Sequence, residues 1–176
     1  MSSAFIRGIQ KSRVISTAKH FPGFSNIKLD PAIEQNAIME ESLEIIKESL
    51  LPFKDAIENN VEIIMVGPAI VKEIDSINPA SISEKVISIL RNEIKFNGII
   101  LSDDLDAKAT LQNFQIEEIA IKALQAGCDY LLLADINDQI IRVAEAIQYA
   151  VINKKIKYSQ LKSSADKVRN LAIKYR

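Results

Sequence analysis

The residues best suited to chemistry sit at the end of one apolar run. The stretch reads Phe96-Asn97-Gly98-Ile99-Ile100-Leu101-Ser102-Asp103-Asp104-Leu105-Asp106. A short apolar run rich in β-branched residues predicts a buried parallel strand. Two adjacent carboxylates follow it, and alternation along a strand sends Asp103 and Asp104 to opposite sides. In parallel α/β folds, chemistry gathers at the C-terminal ends of strands. A carboxylate delivered there can act as nucleophile, general base or metal ligand. On position alone, a cap on the next helix is the simpler reading.

The other chemically suggestive residues are Lys19-His20 and Cys128. His20 is the only histidine and Cys128 the only cysteine in the 176 residues. Taken alone, His20 reads as a packed core histidine. Cys128 reads as a small buried thiol, since a nucleophilic thiol would need a histidine base beside it. One histidine and no clustered Cys/His ligands predict no metal site, and no cofactor is expected.

The elements that must position these residues follow from periodicity and breakers. Positions 2–12 read as a short helix and 14–18 as a strand, followed by a long loop over 24–32 with Pro31 as a breaker. Positions 37–50 read as a helix, and Pro52 suits the first turn of another that runs to Asn59-Asn60. A strand over 61–66 ends at Gly67-Pro68. The spacing of Ser81 and Glu84 predicts a capping box opening a helix over 81–94. A strand over 98–101, a helix over 116–126 stopped by Gly127, a strand over 130–133, and helices over 137–152 and 159–175 complete the chain.

Strands separated by helices imply parallel pairing through right-handed crossovers. The strand ends carry Lys19-His20, Gly67-Pro68, Ser102-Asp103 and Ala134-Asp135 on one rim. The expected class is therefore α/β, as a partial (β/α)8 barrel of about four strand–helix units, in one domain over 1–176. A complete barrel needs eight strands and about 250 residues. A doubly wound α/β domain would need five strands in another order, and no phosphate-binding Gly-rich loop is present.

Composition excludes some functions. Hydrophobic residues make up 48% and charged residues 26%, with a net charge of −1, so nothing global points to nucleic acid. The basic C-terminal stretch has Leu161, Ala165, Val168, Ala172 and Tyr175 at helical spacing, which predicts an amphipathic helix with a solvated basic face. No signal-peptide pattern and no membrane-length apolar run are visible, so a reducing, cytoplasmic setting without a membrane partner is expected.

Two segments together resemble glycoside hydrolase family 3, in particular its bacterial β-N-acetylglucosaminidases. They are Val14 to Gly23, ending in Lys-His-Phe-Pro-Gly, and Leu90 to Asp106, which contains Ser-Asp-Asp-Leu-Asp. Leu51-Pro52-Phe53, Ile64-Met65 and Pro79-Ala80-Ser81 lie at matching places between them. The resemblance runs over nearly the whole chain and covers the C-terminal half of the family's catalytic barrel. It implies a retaining glycosidase in which Asp103 is the nucleophile, Asp104 a structural partner, and Lys19 and His20 the pair that hydrogen-bonds sugar hydroxyls.

The loop after Gly23 departs from the family pattern. Asp30 occupies the place of the aspartate that orients the general acid/base histidine. The histidine's own place is taken by Ala32, which cannot move a proton. Loss of such assistance forfeits ~10²–10⁴-fold in rate. Pro68 stands where the family has a histidine after the second strand. The resemblance thus implies one of three roles. The first is hydrolysis of terminal β-linked N-acetylglucosamine, as in peptidoglycan turnover. The second is a remnant without catalysis that self-associates, or that needs a chain supplying the N-terminal half barrel. The third is a module that only binds an N-acetylglucosamine-containing sugar.

Overall fold

The computed structural model describes residues 2–24, 26–112, 114–134 and 138–176. The main sheet has four strands: β1 (Thr17–Phe21), β3 (Ile63–Val66), β5 (Ile99–Asp104) and β6 (Tyr130–Leu132). They lie side by side in chain order and every pair is parallel. That order is the barrel order and excludes the doubly wound alternative. Between them run α2 (Leu43–Ser49) and α3 (Leu51–Glu58), then α4 (Glu84–Ser88), then α5 (Lys108–Leu111) and α6 (Ile116–Ala126). Helix α1 (Ser2–Lys11) precedes the sheet, and α7 (Gln139–Ile152) and α8 (Tyr158–Lys174) follow it.

Several boundaries differ from the sequence expectations. The first strand runs over 17–21 rather than 14–18, so Lys19 and His20 lie within it instead of after it. The helix expected over 37–50 is two elements: the short strand β2 (Ile38–Met39) and α2, which begins only after Ser42 accepts a hydrogen bond from Ile45 N–H. Strand β2 pairs in parallel with β4 (Ile70–Val71) in a second sheet. Both are too short to show a period of two against their surroundings. The helix expected over 81–94 is a 3-10 turn at 80–82, then α4, then a π turn at 89–93, and its cap is Ser83 rather than Ser81. Ser83 is recruited because Asp75 accepts its hydroxyl at 2.8 Å, while its own oxygen receives Val86 N–H at 3.2 Å. The third strand continues past Leu101 to Asp104.

Other expectations hold. Helix α6 ends where Gly127 takes a left-handed conformation at φ 114°, which costs a glycine little. Pro52 sits in the first turn of α3. Cys128 is buried, and burial pushes its thiol up to about 12. The expected strand end at Asp135 and helix start at Asn137 lie outside the described residues.

The sheet's two faces are covered differently. Ile64, Val66 and Ile100 are fully buried between the sheet and its flanking helices, each contributing about 2 kcal/mol of apolar burial. On the opposite face, Ile63, Met65, Ile99 and Leu101 form a smaller cluster, closed by Ile15 and by Val168 and Leu171 of α8. Thus α8 crosses the N-terminal ends of the strands. Its covered stripe is Leu161, Ser164, Val168, Leu171 and Tyr175, with Ala165 and Ala172 exposed. The expected stripe was therefore wrong at those two positions. Polar anchors at Ser164 and Lys167, invisible to hydrophobic spacing, decide the rotation.

Two buried carboxylates at the strand starts hold α8 there. Asp129 accepts from Ser164 at 2.8 Å, Lys167 at 3.0 Å and Ile100 N–H at 3.0 Å, and pairs with Arg91. Glu62 accepts from Gln10 at 3.0 Å, Ser16 Oγ at 2.7 Å, Ser16 N–H at 3.1 Å and the Tyr175 hydroxyl. Burial pushes the Glu62 carboxyl up, but the donors from Tyr175, Gln10 and Ser16 outweigh it and hold it below the usual range. A depressed carboxyl stabilises the fold at pH above its unfolded value. That stabilisation disappears as pH falls through the folded value. We expect Glu62→Gln to cost about 2 kcal/mol at pH 7, and to flatten the part of the acid limb that begins near the unfolded value of 4.5 and runs down through the lowered folded value. Urea melts recorded across pH check both effects.

Candidate active site

The site is built at the C-terminal ends of β1, β3 and β5. Asp103 shares its face of β5 with Ile99 and Leu101 and points over the end of the sheet. Asp104 points the other way, as alternation requires. Its Oδ1 accepts Asp106 N–H at 3.0 Å and Ala134 N–H at 3.0 Å, tying the segment after β6 to the turn after β5. Asp104 is thus a backbone organiser. Ser102, fully buried, accepts Leu132 N–H at 2.9 Å and bridges the irregular register between β5 and β6.

His20 Nε2 lies 3.5 Å from Asp103 Oδ2. The two residues are on β1 and β5, with β3 between them, and two strand spacings amount to about 10 Å. Gly67, which directly follows β3, leaves room beside His20 for the Phe24 ring. A Cβ there would stand 2.6 Å from Phe24 Cε1 and 3.3 Å from His20 Cβ. Phe24 fills that space and stacks on His20, with ring centroids 4.8 Å apart and planes 13° apart. The Lys19–His20 and Phe21–Pro22 peptide bonds are cis.

Desolvation lowers the His20 pKa from its ordinary 6.5. Asp103 opposes this and the Lys19 charge adds to it, and the balance is downward. His20 is therefore a neutral imidazole at pH 7, and the Asp103 carboxylate faces a dipole rather than a cation. Asp103 Oδ1 also accepts the N–H of Asp104 at 2.8 Å.

The remaining site residues expected from sequence are placed differently. Lys19 is exposed along the open edge of β1. It lines a cavity of about 460 Å³ with Phe5, Ile6 and Phe53, and acts on His20 through its charge. Among the described residues it makes no hydrogen bond or ion pair. Asp30 is exposed, and its Oδ1 closes a turn on Ala32 N–H at 2.9 Å. Among the described residues no hydrogen bond or ion pair joins Asp30 to His20 or Asp103. The loop that carries it is clipped to α5, where Ala32 O accepts Lys108 N–H at 3.2 Å and Pro31 O accepts Ala109 N–H at 3.1 Å. Sequence reasoning missed Phe24 and Gly67. The only signal for them was a glycine at a strand end and an aromatic just after the Lys-His-Phe-Pro-Gly run. Among the described residues, no group of three or more His, Cys, Asp or Glu side chains is placed to hold a metal. Among them too, no helix is long and apolar enough to cross a membrane.

As the sole histidine, His20 gives one ring signal, so its titration is directly readable by NMR. The midpoint is expected below 6.5, and Asp103→Asn is expected to lower it further by removing the charge that favours the imidazolium. Gly67→Ala is expected to displace the Phe24 ring, hydrate His20 and bring the midpoint back toward 6.5. Because a ring edge can swing aside, that substitution is expected to cost only about 1 kcal/mol. A wild-type midpoint at or above 6.5 contradicts this description of the site.

Comparison with known proteins agrees with the fold. The profile of the glycosyl hydrolase family 3 N terminal domain matches residues 1–171. A β-hexosaminidase of Actinobacillus pleuropneumoniae is 35% identical over 151 residues, which is 85% of this chain and 44% of that protein. A β-N-acetylglucosaminidase from Thermotoga maritima superposes with a TM-score of 0.82 at 30% identity, over 93% of this chain and 36% of that one. A family 3 β-N-acetylglucosaminidase from a Paenibacillus species gives a TM-score of 0.93 over 98% of this chain and 33% of that one; at 24% identity this shows the fold alone. The chain spans less than half the length of each of these proteins. The four parallel strands are consecutive strands of a (β/α)8 barrel, and the chain belongs to glycosyl hydrolase family 3.

Proposed function

We propose that this chain carries the nucleophile side of a retaining β-N-acetylglucosaminidase. The observation that supports it best is the 3.5 Å approach of His20 to Asp103 at the rim of parallel strands. A retaining glycosidase needs a carboxylate that attacks the anomeric carbon of an oxocarbenium-like centre. The strand-end location of Asp103 supports that role, and the neutral His20 leaves its charge unquenched. The imidazole N–H then donates to a sugar hydroxyl, while Lys19, on the open edge of β1, acts on His20 through its charge. The proposed substrate is a terminal β-linked N-acetylglucosamine, with peptidoglycan turnover in the cytoplasm as the setting. Among the described residues, β1 and β6 are each paired on one side only. Further barrel strands are part of the proposal, from a longer chain, a second copy or a complementing chain.

A specific observation favours a second reading, a sugar-binding module without catalysis. Ala32 has no transferable proton, and the nearby Asp30 carboxylate is engaged in its own turn. Hydrolysis by this chain is accordingly expected to run ~10²–10⁴-fold slower than that of a relative with an acid/base histidine.

One experiment separates the readings. Incubation with a chromogenic β-N-acetylglucosaminide is expected to release chromophore slowly, and Asp103→Asn is expected to reduce release to the buffer rate. Folded wild-type protein that binds N-acetylglucosamine but releases nothing is the binding module. Release that persists unchanged in Asp103→Asn removes Asp103 from the nucleophile role.

A further inference from the structure

The turns at the strand starts depart from local preference in one direction. Five helical segments end with one residue in the left-handed region. Those residues are Arg13 at φ 58°, Asn60 at 59°, Lys95 at 59°, Gly127 at 114° and Lys154 at 59°. In four of the turns the following N–H bonds back to a carbonyl of the helix: Val14 to Ile9, Val61 to Ala56, Cys128 to Ala123 and Lys155 to Ala150. Glycine or asparagine takes that conformation at least cost. Asn60 and Gly127 follow the preference, but Arg13, Lys95 and Lys154 put a long cation there instead. Lys157 departs from a second preference. It is the N-cap of α8 and makes no capping bond, at the end of the helix where the dipole disfavours a cation.

Among the described residues, Lys11, Arg13, Lys95, Lys154, Lys155 and Lys157 are exposed and make no ion pair. Helix α8 adds Lys162 and Arg169, which share Asp166, and Lys174. Across the five turns the only exposed acids among the described residues are Glu58 and Glu93. Charge kept against backbone strain and an adverse dipole is not explained by local stability, and such departures mark functional surfaces. The first four turns feed β1, β3, β5 and β6, and α8 crosses the strand starts. The cations therefore share the end of the sheet opposite Asp103 and His20.

Apolar side chains stand among them. Ile152 is 69% exposed, Tyr158 68% and Ile173 58%. The corner between α7 and α8 is fixed from beneath, with Ile156 buried on Leu124 and Ala150 and the Lys155 carbonyl accepting from Gln125 at 3.0 Å. A bilayer surface rich in anionic lipid suits this combination. It attracts the lysines, and exposed aliphatic and aromatic side chains settle at its headgroup–acyl boundary. Nucleic acid phosphates would engage the cations but give Ile152 and Ile173 no place. The expectation of no membrane partner came from the length of apolar runs, which bears on spanning a bilayer and not on lying against one.

We propose that the strand-start end of this chain, centred on the α7–α8 corner, docks on a membrane surface rich in anionic lipid and leaves Asp103 and His20 at the far end. The inference does not depend on the role given to Asp103. The test is flotation of the full chain with vesicles of phosphatidylcholine alone and of equal parts phosphatidylcholine and phosphatidylglycerol. Binding is expected to the anionic vesicles only, and high salt is expected to release it. Lys154→Gly is expected to weaken it about fivefold, the worth of one cation near an anionic surface. Its melting temperature is expected not to fall, because glycine suits that turn. Adding Lys155→Ser and Lys157→Ser is expected to bring the loss to the order of a hundredfold, and Tyr158→Ser alone is expected to weaken binding too. Equal binding to both kinds of vesicle, or none to the anionic ones, overturns the proposal. A lowered melting temperature in Lys154→Gly with vesicle binding unchanged makes that lysine structural and overturns it as well. Tighter binding to a duplex RNA than to the anionic vesicles overturns the choice of lipid.

Discussion

The site depends on one steric constraint, the absence of a side chain at Gly67. Side chains on β1 and β5 are separated by an intervening strand, and a methyl group at its end would occupy the space of the Phe24 ring. With that space open, Phe24 covers one face of His20. The same aromatic cover removes water from His20, which is the main reason the imidazole stays neutral.

The chain separates anchoring from chemistry along the strand axis. At the strand starts, Glu62 and Asp129 are saturated with donors from α1, α8 and the segment before β1. Buried carboxylates are tolerable only with such full satisfaction. At the strand ends, Asp103 receives one backbone N–H and the near approach of a neutral ring, so one oxygen stays available. Asp104, adjacent in sequence, is consumed by two backbone donors. Adjacent aspartates thus have different fates because the pleat sends them to different partners.

The loop between β1 and β2 is held through its backbone. Asp30 closes a turn on the Ala32 N–H, and the carbonyls of Pro31 and Ala32 accept from the start of α5. Main-chain carbonyls make such bonds whatever side chains stand beside them, so the loop's docking does not constrain the chemistry of its side chains.

Much of this was legible in the residues. The α/β class, the parallel strand order, helix α6 with its Gly127 stop, the buried thiol of Cys128 and the opposite directions of Asp103 and Asp104 follow from periodicity, turn chemistry and alternation. These are local properties carried by residues within a few positions of one another. The start of the first strand, the short strands β2 and β4, the Ser83 cap and the rotation of α8 were not legible. Each is settled by a partner distant in sequence: Ile63 for Thr17, Ile70 for Ile38, Asp75 for Ser83, and Asp129 for Ser164 and Lys167. The approach of His20 to Asp103 is of the same kind. Sequence named both residues, but only the stacking of three strands, with a glycine ending the middle one, set the distance between them.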